Sequence, residues 1–326
     1  MTIFSVIIPC INNSVFLEKN IKGLEKQSFK KFEVVIASEN NFKNKIKKNS
    51  LNIKFLNCKN ILTPGAKRNL AAKNSRGEYL VFIDDDAYPD KNWLNNIYKY
   101  FVLNKNFKTC VGGPGLIPPD SNFSGKSINL FYTSKIFYSD QHRYISSKSH
   151  NKKFVSDWPS FNFAINRNFF LKIGGFNKKF WPGEDSKLCE KIIKLKGTII
   201  YLSNSIVYHY NRISYFKFFK QVFRYGYHRG KFLKMGDENS KLFKYFLPSL
   251  FFIFHLILLF DIKLFYYFVL TLWCILFVEG CFKYNKSINI LHILLSRFLI
   301  HIALLTYGLS FLKGIFSKKY KISLNR

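Results

Sequence analysis

The chain contains 326 residues, and its 51 lysines and arginines outnumber its 19 acidic residues, so the formal net charge is +32. Such an excess of positive charge favours an anionic partner, either a nucleic acid or the surface of an anionic membrane. The sequence has no zinc-finger spacing, basic zipper or RNA-recognition signature, and 18% of its residues are aromatic, so the composition disfavours nucleic acid and favours a membrane surface.

The cysteines and the first residues indicate the compartment. Six cysteines are scattered along the chain without a C-x-x-C pair, which predicts neither a zinc site nor a disulfide framework. Residues 1–10 contain a strand-like run ending at Pro9, without the basic leader and cleavage site of a signal peptide. We therefore expect the N-terminal domain to lie in the reducing cytoplasm.

Strand and helix patterns alternate from residue 3 to residue 101. Continuous apolar runs predict strands at residues 3–8, 32–37, 53–56 and 79–83. The helices between them are marked by Leu17, Ile21 and Leu24, by residues 65–75 before Gly77, and by Leu94, Ile97 and Phe101. These repeated units predict a Rossmann-like α/β domain with a mainly parallel sheet. Because G-x-G-x-x-G does not follow the first strand, a nicotinamide-dependent enzyme is disfavoured.

Three consecutive acids, Asp84, Asp85 and Asp86, follow the fourth strand directly. Acids are seldom buried without a partner, and ligands of open α/β sheets bind beyond the carboxyl ends of the strands. A divalent cation shared between these carboxylates and the phosphates of a substrate would satisfy them. The alternative is a solvated acidic turn that caps the next helix.

The rest of this domain is less regular. Residues 112–160 are rich in Gly, Pro, Ser and Asn, which predicts loops and short strands that line a cleft. Strand patterns return at residues 160–166 and 198–209, separated by a helix at 185–196. We expect the domain to end near residue 212.

The C-terminal part has the composition of a membrane region. Residues 243–326 contain only two acids, Asp261 and Glu279. Apolar runs at 245–260 and 264–282 predict a helical hairpin spanning 245–282. A third apolar run, 288–316, contains Arg297, which is costly in mid-span. We expect either a third span that faces a partner or a helix in the plane of the membrane.

The lysines around this region favour one arrangement. Lys283 and Lys286 precede the third run, and Lys318, Lys319 and Lys321 follow it, and both groups favour the cytoplasm. The prediction is therefore a hairpin followed by an interfacial helix, with the N-terminal domain on the cytoplasmic side of the inner membrane. Residues 213–242 alternate aromatic and basic groups, which is typical of a helix in the headgroup layer. An ordinary amphipathic packing helix is the competing interpretation.

Six short motifs occur in an order that resembles one enzyme family. They are Val6-Ile7-Ile8-Pro9 with Asn12, residues 64–69 with Arg76-Gly77-Glu78, residues 82–89, Asn162-Phe163-Ala164 with Gly174-Gly175-Phe176, Gly183-Glu184-Asp185, and Val207-Tyr208-His209. Over residues 3–230 the chain resembles family 2 glycosyltransferases of the GT-A fold. We therefore expect a GT-A domain at 1–212, an interfacial segment at 213–242 and membrane-associated helices at 243–326.

The resemblance implies a role for each matched residue. Asp86 would bind a Mg²⁺ or Mn²⁺ ion, Asp84 the ribose or the metal, and His209 would be a further metal ligand. Asp185 would be the general base, with Glu184 orienting it or the acceptor. The residues expected to bind the nucleotide-sugar donor are Pro9, Asn12, Ser38, Glu39, Lys67, Arg68, Asp84 and Asp85, and those expected to bind the acceptor are Asn162, Trp181 and Gly183. A structural role is the alternative for His209 and Trp181, and a solvated basic face for Lys67 and Arg68.

One departure affects the nucleotide. After its second strand this family has an Asp-Asp-Gly-Ser-like turn whose acid contacts the base, whereas this chain has Ala-Ser-Glu-Asn-Asn at residues 37–41. Glu39 or Ser38 would take the place of that acid.

The expected function is inverting transfer of a sugar from a nucleotide-diphosphate donor, a UDP-sugar, to a lipid-linked or cell-envelope glycan acceptor. One alternative is a polyprenyl-phosphate glycosyltransferase, in which the lipid phosphate is the acceptor. The other is a non-catalytic membrane assembly or binding protein on a GT-A scaffold.

Overall fold

The structure is a computed structural model that describes residues 2–41, 50–135, 140–146, 152–178, 180–212, 214–283 and 288–317. The chain forms two compact units, residues 1–116 with 145–209 and residues 117–144 with 210–321. Residues 117–144 and 210–212, which lie within the expected domain at 1–212, belong to the second unit.

The elements follow one another closely. The strands are β1 (Phe4–Cys10), β2 (Phe32–Ser38), β3 (Ile53–Asn57), β4 (Tyr79–Ile83), β5 (Ala87–Pro89), β6 (Thr109–Gly112), β7 (Gly115–Leu116), β8 (Lys152–Phe154), β9 (Asn162–Asn166), β10 (Thr198–Leu202) and β11 (Val207–His209). The helices are α1 (Val15–Glu25), α2 (Pro64–Lys73), α3 (Trp93–Leu103), α4 (Phe123–Tyr132), α5 (Arg167–Lys172), α6 (Glu184–Lys194), α7 (Tyr215–Lys234), α8 (Leu247–Leu258), α9 (Ile262–Cys281) and α10 (Ile290–Phe316).

The first unit is built on a sheet with the strand order β3-β2-β1-β4-β9-β6-β10-β8. Strands β3, β2, β1 and β4 are parallel, as are β6 and β10, whereas β9 and β8 run against their neighbours. A smaller sheet joins β5, β11 and β7. The predicted α/β fold with a mainly parallel sheet is confirmed.

Alternate side chains of the central strands enter two apolar cores. On β4, Val81 and Ile83 lie in the core that contains residues of α1 and α3, whereas Leu80 and Phe82 lie in the core that contains residues of α2 and α6. Burial on both faces explains why this strand reads as a continuous apolar run. Gly77 lies just before it, where a Cβ would be 2.5 Å from the Ser5 nitrogen, so glycine is needed for the close approach to β1.

Helix α10 is the central helix of the second unit. Its Leu299, Ile300 and Ala303 pack in one core with residues of α4, α7 and α9. Helices α9 and α10 are long and apolar enough to cross a membrane, judged by length and composition. In the most apolar stretch of each, 11% of residues are buried in α9 and 50% in α10, so α9 presents most of its apolar surface outward.

The two predicted hairpin helices are α8 and α9, and the Asp261 side chain caps α9 by accepting a hydrogen bond from the Leu264 nitrogen at 3.0 Å. The third run forms α10, which carries Arg297. Arg297 is 1% exposed and donates to the Leu276 carbonyl at 2.6 Å and to Glu279 Oε2 at 3.3 Å. Because α9 supplies both acceptors, the charge of Arg297 is satisfied within the chain. Of the predicted flanking lysines, 286, 318, 319 and 321 lie outside the described residues.

Helix α7 packs against α10 through small residues. A Cβ at Gly226 would overlap Ser310 Oγ, and one at Gly230 would overlap the Phe311 carbonyl oxygen. The two glycines are four residues apart and therefore lie on one face of the helix. This face matches the packing interpretation of residues 213–242, of which residue 213 lies outside the described residues.

Candidate active site

Two carboxylates and an imidazole meet beyond the carboxyl end of β4. Asp84, Asp86 and His209 each offer a ligand atom, and these atoms lie within 4.8 Å of one another. His209 reaches this position because β11 pairs with β5, which places it opposite Ala87 and next to Asp86. Its Nε2 lies 3.0 Å from Asp86 Oδ1, and its ring stacks on Phe161 with centroids 4.9 Å apart. All three side chains are partly exposed.

This donor set fits a divalent cation. Carboxylate oxygens suit Mg²⁺ and Mn²⁺, and one imidazole nitrogen favours Mn²⁺ over Mg²⁺. The neighbouring Asp85 adds negative charge. Burial, followed by the charges of Asp86 and Asp84, raises the pKa of Asp85 to about 7. The predicted metal ligands are thus brought together by the fold.

Arg68 connects this acidic group to a second one. It lies on α2, is 4% exposed, and donates to Asp84 Oδ1 at 2.6 Å and to Glu184 Oε1 at 3.5 Å. Its guanidinium also lies over the Phe176 ring, 5.4 Å from the centroid. Arg68 is therefore a buried cation between two acidic groups, and not part of a solvated basic face.

The second group is Glu184 and Asp185 in the first turn of α6. Gly183 caps this helix with a φ of +112°, a conformation that side chains disfavour. Burial, followed by the charge of Asp185, raises the pKa of Glu184 to about 8, although Arg68 opposes the shift. Burial likewise raises the pKa of Asp185 against the opposing effect of Arg68. Asp185 Oδ1 is buried and has no hydrogen-bond partner among the described residues.

The predicted nucleotide-binding residues gather at the ends of β1 and β2. Lys67 is 2% exposed, and its Nζ donates to the Cys10 carbonyl and to Glu39 Oε1, both at 2.7 Å. Ser38 donates to the Ile11 carbonyl at 2.9 Å. Lys67 thus orients Glu39, which together with Ser38 is one of the two residues expected to take the place of the acid in this turn. Pro9 pairs with Ala37, and Asn12 is exposed beyond the end of β1.

The three predicted acceptor residues are placed differently. Asn162 is 1% exposed; its Oδ1 accepts from Trp93 Nε1 at 2.9 Å, and its Nδ2 donates to the Ser205 carbonyl at 2.7 Å. Because these bonds occupy the amide inside the first unit, the structure does not favour direct contact between Asn162 and an acceptor. Trp181 and Gly183 are partly exposed just before α6, so both are accessible to a ligand.

Asn20 is a site residue that the sequence reasoning missed. It is fully buried on α1, and its Nδ2 donates to the Asp84 carbonyl at 3.0 Å, which fixes the backbone where the acids begin. A polar residue on the apolar face formed by Leu17, Ile21 and Leu24 was the available signal. Phe161, which supports His209, had no comparable signal.

The chain is similar to known glycosyltransferases. Residues 5–174 match the profile of the family described as Glycosyl transferase family 2. The chain is 27% identical over 209 residues to GalNAc(5)-diNAcBac-PP-undecaprenol beta-1,3-glucosyltransferase of Campylobacter jejuni, covering 60% of this chain and 62% of that enzyme. It is 34% identical over 101 residues to the poly(ribitol-phosphate) beta-N-acetylglucosaminyltransferase TarS of Staphylococcus aureus, covering 28% of this chain and 18% of TarS.

A longer match is to an enzyme of Methanococcus voltae. The chain is 26% identical over 251 residues to its dolichyl N-acetyl-alpha-D-glucosaminyl phosphate 3-beta-D-2,3-diacetamido-2,3-dideoxy-beta-D-glucuronosyltransferase, covering 73% of this chain and 76% of that enzyme. Among solved structures, GalNAc-T7 with UDP, GalNAc and Mn²⁺ is similar in fold, with a TM-score of 0.51 and 16% identity over 65% of this chain and 44% of that one.

Proposed function

The chain belongs to glycosyl transferase family 2 and is therefore a glycosyltransferase, and from this premise we propose that it is an inverting, metal-assisted enzyme. It would transfer a sugar from a UDP-sugar to a hydroxyl group of a lipid-linked or cell-envelope glycan. The observation that carries this proposal is the pair of acidic groups, Asp84–Asp86–His209 and Glu184–Asp185, which Arg68 connects.

The first group would serve the donor. Asp84, Asp86 and His209 would hold a Mg²⁺ or Mn²⁺ ion, which when bound supplies positive charge against the diphosphate of the donor. Glu39, oriented by Lys67, would accept a hydrogen bond from the nucleotide base. A pyrimidine with a ring N–H, such as uracil, satisfies a carboxylate in this way.

The second group would serve the acceptor. Asp185 would accept the proton of the acceptor hydroxyl as its oxygen attacks the anomeric carbon, because this reaction needs a base within hydrogen-bond reach. The Asp185 side chain is partly exposed, so an acceptor hydroxyl can reach its carboxylate. Glu184, held by Arg68, would orient the acceptor or the base.

The names of two relatives support the acceptor class. The Campylobacter jejuni enzyme acts on an undecaprenol-linked saccharide, and the Methanococcus voltae enzyme on a dolichyl-linked one. We propose that this chain likewise works on a lipid-linked glycan at the cytoplasmic face of the inner membrane, through its second unit. Membrane attachment would raise the effective concentration of a lipid-borne acceptor.

Nucleotide binding to the detergent-purified protein tests the donor site. We expect calorimetry to show UDP binding in the presence of Mn²⁺, and Asp86→Ala to weaken it about tenfold or more, because the diphosphate charge is no longer offset. Asp90→Asn, which removes an acid just beyond β5, should leave UDP affinity unchanged. UDP binding that is equally tight without Mn²⁺ or in Asp86→Ala would contradict the metal assignment, and a panel of other nucleoside diphosphates tests the base preference.

Contact between α9 and lipid can be measured through Trp273. This residue is 38% exposed on α9, whereas Trp93 and Trp158 are 0% and 1% exposed. In vesicles containing phospholipids brominated on their acyl chains, we expect quenching of the tryptophan fluorescence, because Trp273 would face those chains. The quenching should disappear in Trp273→Phe. Equal quenching in wild type and Trp273→Phe, or none in either, would show that α9 does not face lipid.

A further inference from the structure

Three buried polar atoms of the candidate active site have no hydrogen-bond partner among the described residues. They are Arg68 Nε, Asp185 Oδ1 and Ser160 Oγ. A buried polar atom of this kind is costly unless a ligand or a movement of its neighbours satisfies it. Ser160 is 2% exposed and belongs to none of the sequence motifs that predicted the site.

The segment that carries Ser160 is fixed to the first turns of α6. Asp157 Oδ2 accepts a hydrogen bond from Ser186 Oγ at 3.0 Å, and the Trp158 nitrogen donates to Cys189 Sγ at 3.3 Å. Ser186 directly follows Asp185, so these contacts tie the segment that carries Ser160 to the helical turn that carries Asp185. Both the hydroxyl and the backbone N–H of Ser160 lie close enough to Asp185 to lower the pKa of its carboxyl, against the burial that raises it.

We propose that Ser160 is a positioning residue for Asp185, whose carboxylate it holds toward the acceptor hydroxyl by donating a hydrogen bond. The proposal rests on the proposed role of Asp185 as the base. Hydrogen bonds of catalytic groups are often long or poorly aligned without ligand and shorten in the reactive complex. A hydrogen bond that shortens only in the reactive complex explains why Ser160 Oγ and Asp185 Oδ1 are both buried without a partner among the described residues.

The proposal predicts the direction in which the pH dependence of the reaction changes when the Ser160 hydroxyl is removed. Arg68 on α2, Asp84 after β4 and Glu184 on α6 are the charged groups that act on Asp185, and they stay unchanged when Ser160 is replaced. A hydrogen bond to a carboxylate favours its ionised form, so removing that bond raises the pKa of the base. Because the base acts when ionised, a variant with a higher pKa loses activity at the acidic end of the pH profile, where wild type is still active.

The test is the pH profile of kcat/KM for donor and acceptor in Ser160→Ala. We expect its acidic limb to move to higher pH by up to about one unit, together with a lower rate on the alkaline plateau, because the carboxylate is no longer held toward the acceptor. Ser160→Thr, which keeps the hydroxyl, should restore the limb. Ser205→Ala is the matched control, because Ser205 is also fully buried with an unbonded hydroxyl among the described residues. Its acidic limb should not move.

Two results would overturn the proposal. They are an unmoved acidic limb in Ser160→Ala, whatever the rate on its alkaline plateau, and equal shifts in Ser160→Ala and Ser205→Ala. If Ser160→Ala does not fold, Ser160→Cys, whose thiol is a weak donor, is compared with Ser160→Thr. Acidic limbs at the same pH in these two variants would overturn the proposal. Full activity of Asp185→Asn would instead disprove the proposed base, so the two failures are distinguishable.

Discussion

Replacing Asp185 by asparagine is expected to lower kcat for transfer to a hydroxyl acceptor by about 10²–10⁴-fold, the usual contribution of a general base. The amide has nearly the same shape as the carboxylate but cannot take the proton of the attacking hydroxyl. Burial raises the pKa of Asp185, so we also expect the acidic limb of the wild-type profile to lie above the range of an ordinary aspartate. Initial rates with saturating donor and acceptor measure the effect.

Two comparisons show whether the loss is specific to the base. Asp185→Asn should keep metal-dependent UDP binding, because Asp185 is not a member of the Asp84–Asp86–His209 group. Glu190→Gln removes an acid from the same helix, where Glu190 pairs with Lys187 and Lys194, and should retain near-normal activity. A fully active Asp185→Asn would favour the alternative of a polyprenyl-phosphate acceptor, whose phosphate oxygen is already ionised and needs no strong base.

Replacing Arg68 by methionine is expected to lower the free energy of unfolding of the first unit by about 3–5 kcal/mol at neutral pH, the usual cost of breaking a buried ion pair from one side. Arg68 contacts Asp84 and Glu184 and acts electrostatically on Asp185, so its loss removes the cation shared by three acidic side chains. Thermal unfolding in detergent, with and without UDP and Mn²⁺, measures the change.

The destabilisation should depend on pH with a definite sign. Arg68 lowers the pKa of Glu184 and of Asp185, so without it both carboxyls are protonated over a wider pH range. The protonated forms need no cation, so the loss in Arg68→Met should shrink as the pH falls and grow as it rises. Arg76→Met, at an exposed position, is the control for removing one arginine. Adding Glu184→Gln to Arg68→Met should recover part of the loss; equal stability of wild type and Arg68→Met would contradict this account.

The sequence predicted the parts of the site that are local. An apolar strand followed by three acids and a Gly-Glu-Asp helix start are contiguous signals, and the strand–helix alternation predicted a mainly parallel sheet with its ligand site beyond the carboxyl ends of the strands. The connections between these parts were not predictable. Arg68 is 116 residues from Glu184, and Asn162 is 69 residues from Trp93, so the spacing of residues along the sequence does not predict either contact. The packing of Arg297 against Glu279 was hidden for the same reason, because periodicity does not show which helices are neighbours.

The central position of α10 has a consequence for the synthesis of the protein. The apolar face of α4, which includes Ile128 and Phe131, shares one core with residues of α10. Helix α4 ends at Tyr132, whereas α10 begins at Ile290. At about 5–20 residues per second, roughly 8–30 s pass on the ribosome between the two helices. During that interval α4 lacks the helix that completes its core, so the second unit reaches its final packing only after α10 has been made.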